Sequence, residues 1–245
     1  MDLTIISSYF DKSPRETLFV RWRVNHYFKL KEKYPKLKMI LVDDGSQCIP
    51  VEKALENLDL TGIILVKIKE DLGFNSHGAR NLGMHISKSE WNFLIDLDID
   101  LSSIDLDLAL PLDPNTIYKF DMNSPLIHKN AFWSVKGYDE DFVNIHYGDK
   151  IFFSNLERIY PAKDLSPIVR AKHYRLARKV ILSNDHLKTD YDDKEEKIFF
   201  QPAERYKTLP GLISIVQDRY DRNDFSQKKV LNFTWEIVKQ KITLA

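Results

Sequence analysis

Asn92-Phe93-Leu94-Ile95-Asp96-Leu97-Asp98-Ile99-Asp100 is an apolar run that breaks into three acids spaced by two residues. Trp91 to Ile95 has the length and character of a buried strand, and the acids stand where such a strand would leave the core. On an extended segment, residues i and i+2 point the same way, so Asp96 and Asp98 could approach one divalent cation through oxygen ligands. Asp100 extends the alternation, and the pattern alone leaves open which two of the three act. A calcium loop of the EF-hand type needs glycine at its sixth position; counted from Asp96 that position is Leu101, and the flank reads as strand rather than helix.

Upstream the chain repeats the same design. Leu3 to Ser7 is a short apolar strand, and Arg15 to Tyr34 carries Leu18, Phe19, Trp22, Val24, Tyr27, Phe28 and Leu30 at roughly helical spacing until Pro35. Lys38 to Val42 is a second strand, cut by the turn signal Asp43-Asp44-Gly45-Ser46. Val51 to Leu58 reads as a short helix, Ile63 to Ile68 as a third strand and Ser76 to Ser87 as a third helix. Strands alternating with helices imply a largely parallel sheet covered on both faces. Ligands of such sheets bind outside the carboxyl ends of the strands, so Ser7-Ser8, Asp43-Asp44 and Asp96-Asp98 would face one crevice.

Beyond residue 110 the pattern is mixed. Ile117 to Phe120 and Pro125 to Ile127 look like short strands, Asn130 to Val135 like a short helix, and Val230 to Ile242 like a terminal helix. The stretch Asp190 to Glu196 reads as an exposed loop or helix face. There is no repeat of 20 to 50 residues and no low-complexity linker.

Composition narrows the classes. Over 245 residues, 43% are hydrophobic and 29% charged, as in an ordinary globular chain. Lys plus Arg and Asp plus Glu both number 36, which leaves no bulk cationic field to draw the chain to nucleic acid or an anionic membrane. The single cysteine, Cys48, offers neither an intrachain disulfide nor a thiolate cluster and fits a reducing compartment. No basic stretch precedes the first apolar run and nowhere do 18 apolar residues follow one another, so the expectation is a cytoplasmic protein without a transmembrane segment. An amphipathic Val230 to Ile242 would allow peripheral membrane contact.

Taken in order, Ile-Leu-Val-Asp43-Asp44-Gly45-Ser46, then Leu72-Gly-Phe-Asn75-Ser-His-Gly78-Ala79-Arg80-Asn81-Leu-Gly83, then Phe-Leu-Ile-Asp96-Leu-Asp98 resemble the family-2-type nucleotide-sugar glycosyltransferases. The resemblance spans about the first 175 residues. It implies an α/β GT-A (Rossmann-like) fold: a mostly parallel sheet flanked by helices over residues 1–178, with a donor half to about 105 and an acceptor half from 106. Residues 179–245 are expected as a mainly helical extension. By the same resemblance Asp96 and Asp98 hold Mn2+ or Mg2+ on the diphosphate of the donor. Ser7 and Ser8 lie near the base or ribose, Asp43, with Asp44 beside it, accepts from the base N–H, and Arg80 meets the nucleotide or its phosphates.

A second group, Ser124-Pro-Leu-Ile-His128 through Trp133, Gly137-Tyr138-Asp139-Glu140-Asp141-Phe142 and His146-Tyr147-Gly148-Asp149, resembles the acceptor-side segment of that family. Asp149 stands where the base of inverting enzymes stands, although Gly148 replaces the first acid of the commoner Glu-Asp pair. Asp139, Glu140 and Asp141 are the rival carboxylates. His173, between Arg170, Lys172 and Arg175, stands where some related enzymes complete the metal shell. The implied reaction is transfer of a hexosyl or N-acetylhexosaminyl group from a nucleoside diphosphate sugar, UDP-linked by expectation, to the hydroxyl of a glycan, lipid-linked sugar, protein or modified base. Sugar-phosphate nucleotidyl transfer is the rival chemistry, but the loop after the first strand, Ser7 to Pro14, lacks the glycines such enzymes use. A non-catalytic nucleotide-sugar-binding module is the third reading.

Overall fold

A computed structural model describes residues 2–10, 14–121, 123–144, 147–169 and 202–240. Four of the strands are those read from the apolar runs: β1 (Leu3–Tyr9), β2 (Lys38–Asp43), β3 (Ile63–Ile68) and β4 (Trp91–Leu94). Between them run helices α1 (Pro14–Lys33), α2 (Val51–Ala54) and α3 (Ser76–Ile86). Helix α2 is four residues long and stops at Ala54, short of the Leu58 expected from sequence. After β4 come β5 (Ile117–Asp121), β6 (Ser124–His128), α4 (Lys129–Ser134), α5 (Gly148–Leu156), β7 (Ala162–Asp164), α6 (Ser166–Val169), α7 (Pro202–Asp221) and β8 (Trp235–Gln240).

The strands form one eight-stranded sheet in the order β7-β5-β6-β4-β1-β2-β3-β8. β4, β1, β2 and β3 are mutually parallel; β6 joins β4 and β8 joins β3 antiparallel. Alternation along the strands sorts the core into two layers. Leu3, Ile5, Met39, Leu41 and Phe93 face Val20, Val24 and Tyr27 of α1. Ile6, Ile40, Val42 and Leu94 face Ala79, Leu82 and Met84 of α3, with Phe132 of α4 and Phe152 of α5. A Cβ on Gly83 would stand 2.3 Å from Ile6 Cγ2, so a glycine there lets α3 ride close on β1.

The segment Val230 to Ile242, expected as a helix, contains strand β8 instead. Its register against β3 runs from Gln240 opposite Ile64 to Trp235 opposite Ile68. Trp, Ile and Val suit a pleated edge, and the open side of β3 supplied the partner that the sequence could not display. Residues 202–240 thus contribute both a helix and a strand of the main sheet. Asp190 to Glu196 lies outside the described residues.

Candidate functional site

The carboxyl ends of β1, β2 and β4 meet at one rim, and their acids do different things there. Ser7 is buried, and its hydroxyl donates to the Ile95 carbonyl (2.9 Å), tying β1 to the end of β4; Ser8 is half-buried. Asp43 is fully buried: one oxygen accepts from Ser46 N–H and the other from Val51 N–H, both at 2.8 Å. Burial pushes its carboxyl above the usual range, against the pull of those two N–H groups. Asp44 accepts from the backbone N–H of Asn75, whose own side chain caps the first turn of α3 by accepting from Gly78 N–H (3.0 Å). The Asp-Asp turn therefore sets where α3 begins, and with it where His77 and Arg80 point.

Arg80 is the centre of the site. It is 2% exposed, and its guanidinium donates to Asp96 (2.5 Å), Asp149 (2.7 Å), the Tyr138 hydroxyl (3.0 Å) and the Asn123 carbonyl (3.0 Å). One rigid fork thus joins the acid after β4 to the acid at the start of α5, the geometry for which arginine is suited. The Asp96 side chain remains 35% exposed. Burial, then the neighbouring Asp149 and Asp98 carboxylates, push its carboxyl up, while Arg80 pulls it down.

The acids after β4 are not on an extended segment. β4 ends at Leu94, and Ile99 N–H bonds back to the Asp96 carbonyl (3.2 Å), so residues 96–99 form a turn. This corrects the strand alternation expected for Asp96 and Asp98: the two are brought near each other by a turn. Asp100 goes elsewhere, since its carboxylate caps a short 3-10 helix through Ser102 N–H (2.8 Å) and pairs with His26 Nδ1 of α1 (2.9 Å). The turn is held from beneath by Arg23 of α1, wholly buried, which donates to the carbonyls of Asp96 (2.5 Å) and Ile99 (2.7 Å).

Asp149 lies in the first turn of α5, where helix N–H groups favour a negative charge. Its side chain is 25% exposed, so it is held by Arg80 yet reachable from solvent. The rivals are spoken for. Asp139 and Asp141 both accept from Arg219 of α7 (3.0 and 2.8 Å), and Glu140 accepts from Asn81 (2.9 Å) and from the N–H groups of Leu231 (2.7 Å) and Asn232 (3.1 Å). These three acids clamp the C-terminal segment to the stretch between α4 and α5.

Among the described residues no three His, Cys, Asp or Glu side chains converge as a closed metal cage. The turn after β4 brings the carboxylates of Asp96 and Asp98 near each other, and carboxylate oxygens are the kind of donor a hard divalent cation takes. His173, Arg170, Lys172 and Arg175 lie outside the described residues.

Sequence reading missed Arg23, His77 and Tyr138. A buried arginine in an amphipathic helix, and a histidine inside the Asn75 to Gly83 run, were the available signals. Neither shows its partner in sequence, because the partners are tens of residues away.

No family model matches the chain, and no curated protein sequence matches it. Solved structures do. The mannosyltransferase PcManGT of Pyrobaculum calidifontis, determined with GDP-Man and Mn2+, superposes with a TM-score of 0.53 at 14% identity over 66% of this chain. The match spans about half (54%) of that protein's length. TarS of S. aureus, residues 1–349, gives 0.50 at 14% identity over 85% of this chain and 74% of its own. Likeness at this identity shows the architecture, and the fold of this chain is the GT-A fold.

Proposed function

We propose that this chain is a metal-dependent glycosyltransferase of the family-2 type that moves a sugar from a nucleoside diphosphate, UDP by preference, to an acceptor hydroxyl with inversion. The observation that carries this reading is the Arg80 fork, which places Asp96 of the donor half and Asp149 of the acceptor half on one buried guanidinium at the carboxyl edge of the sheet. Mn2+, which accompanies GDP-Man in the Pyrobaculum enzyme, or Mg2+ would be held by Asp96 and Asp98 and would neutralise the diphosphate as it leaves.

The chain's own residues supply the rest. Arg80 is a fixed positive charge beside the phosphates. Ser8, at the open end of β1, and the turn shaped by Asp43 and Asp44 form the floor for base and ribose. Asp149 takes the proton of the acceptor hydroxyl as its oxygen attacks the anomeric carbon from the face opposite the diphosphate. His173, by the family resemblance, would complete the metal shell or meet the diphosphate. The acceptor is a hydroxyl compound that reaches an open rim; among the described residues no helix is long and apolar enough to cross a membrane.

Thermal unfolding with UDP tests the reading. Mn2+ and UDP together should raise the melting temperature, and chelator should abolish the rise, because two carboxylates repel a bare diphosphate. Equal shifts with and without chelator would remove the cation bridge. Stabilisation without turnover of any nucleotide sugar would favour a binding module.

A further inference from the structure

We propose that His77 is a positioning residue for Asp149, and that residue 148 is glycine in order to admit its imidazole. The proposal rests on the reading of Asp149 as the base. His77 is 4% exposed, on the second residue of α3, packed against the rings of Tyr138 (5.2 Å) and Phe142 (6.3 Å). Its Nε2 is buried with no hydrogen-bond partner and stands 3.6 Å from the Asp149 carboxylate. An unmet buried nitrogen costs on the order of 1–3 kcal/mol, so its presence at a carboxylate in the crevice calls for a reason.

The reason lies in how Asp149 is held. Arg80 grips Oδ1 at 2.7 Å, and His77 faces Oδ2. A nitrogen facing each oxygen, Arg80 on one and His77 on the other, acts on the plane of the carboxylate as well as on its position. The gap exceeds hydrogen-bond reach by a few tenths of an ångström, a distance that a small side-chain rotation closes. An imidazole nitrogen that faces a carboxylate serves it as an N–H donor.

Gly148 is the second observation. A Cβ there would lie 2.6 Å from His77 Cε1 and 2.7 Å from Nε2, with Phe142 Cβ behind at 3.1 Å. No side chain fits at 148 while the imidazole is in place. The chain's departure from the commoner Glu-Asp pair thus has a physical account: His77, from a different element, occupies the room of the missing acid and provides the polar group beside Asp149.

Two measurements test this. In wild type, His77→Phe, His77→Gln and Asp149→Asn, nucleoside diphosphate release is followed with Mn2+ and a panel of UDP- and GDP-sugars, with a melting curve for each variant. His77→Phe keeps the ring packing and should stay folded, yet lose about tenfold or more in kcat at unchanged donor KM, since only orientation of the base is impaired. His77→Gln, whose amide reaches the place of Nε2, should recover most of that loss. A folded His77→Phe that turns over like the wild type while Asp149→Asn is inactive overturns the proposal and leaves the base reading standing. Normal turnover by Asp149→Asn overturns both. Independently of turnover, 1H–15N spectra of the histidine rings, assigned through His77→Phe, should place the proton on Nε2 and show that signal move in Asp149→Asn. A bare Nε2 toward Asp149 overturns the proposal whatever the enzyme does.

Discussion

Replacing Arg80 by methionine removes the guanidinium that joins the two halves of the site and leaves most of its volume filled. Four hydrogen bonds go with it, two of them to the carboxylates of Asp96 and Asp149. Breaking a buried ion pair by deleting one partner costs about 3–5 kcal/mol, because the other charge is left without compensation. Here both acids keep some contact with water, their side chains being 35% and 25% exposed, so they can rehydrate in part. The low end, about 3 kcal/mol, is the expected loss. For a chain of this size that is a fall in melting temperature of roughly 6–12 °C. Urea unfolding of the apo protein measures it directly. A double-mutant cycle sharpens the test: with Arg80 gone, Asp149→Asn removes a stranded charge, so Arg80→Met/Asp149→Asn should be more stable than the sum of the single effects by about 1–3 kcal/mol. Additive effects, or an Arg80→Met protein that unfolds like the wild type, would refute the account of Arg80 as the cation that neutralises both acids.

Asp98→Ala should leave the apo fold intact or slightly firmer, since Asp98 is one of the like charges pressing on Asp96, and should abolish the Mn2+-dependent stabilisation by UDP seen in thermal melts. Asp149→Asn should lower turnover by about 10²-fold or more with donor affinity nearly unchanged, and NMR of the wild-type product should show the anomeric configuration opposite to the donor's. Retained configuration would remove Asp149 as an in-line base. Burial pushes the Lys228 ammonium down to about 7, against the upward pull of Asp139, from an ordinary value of 10.5. Between those values the unfolded chain holds the extra proton, so the Lys228 contribution makes stability rise with pH from about 7 toward 10. The melting temperature of the wild type relative to Lys228→Met should climb over that window, and a flat difference would contradict it.

The alternation of short apolar runs with amphipathic stretches determined β1 to β4, α1 and α3 within a few residues, because period two and period 3.6 are written in neighbours along the chain. It also placed the acids at strand ends, where a parallel sheet opens. What the acids do there was decided by tertiary structure. Asp43 and Asp96 are alike as sequence, each ending an apolar strand, yet one is sealed under backbone N–H groups and the other meets Arg80 at an open rim. Asp139, Glu140 and Asp141, the rival carboxylates of Asp149 in the sequence, take their partners from the C-terminal segment, about 80 to 90 residues onward. β8 became a strand only because β3 offered an edge to pair with. Arg23 of α1 meets the carbonyl of Asp96 in the turn after β4, and His77 of α3 comes to face Asp149 of α5 at 3.6 Å. Periodicity reports what a residue's neighbours within a turn or two require; which distant backbone or carboxylate it meets depends on where the whole chain brings that group, and no local pattern encodes it.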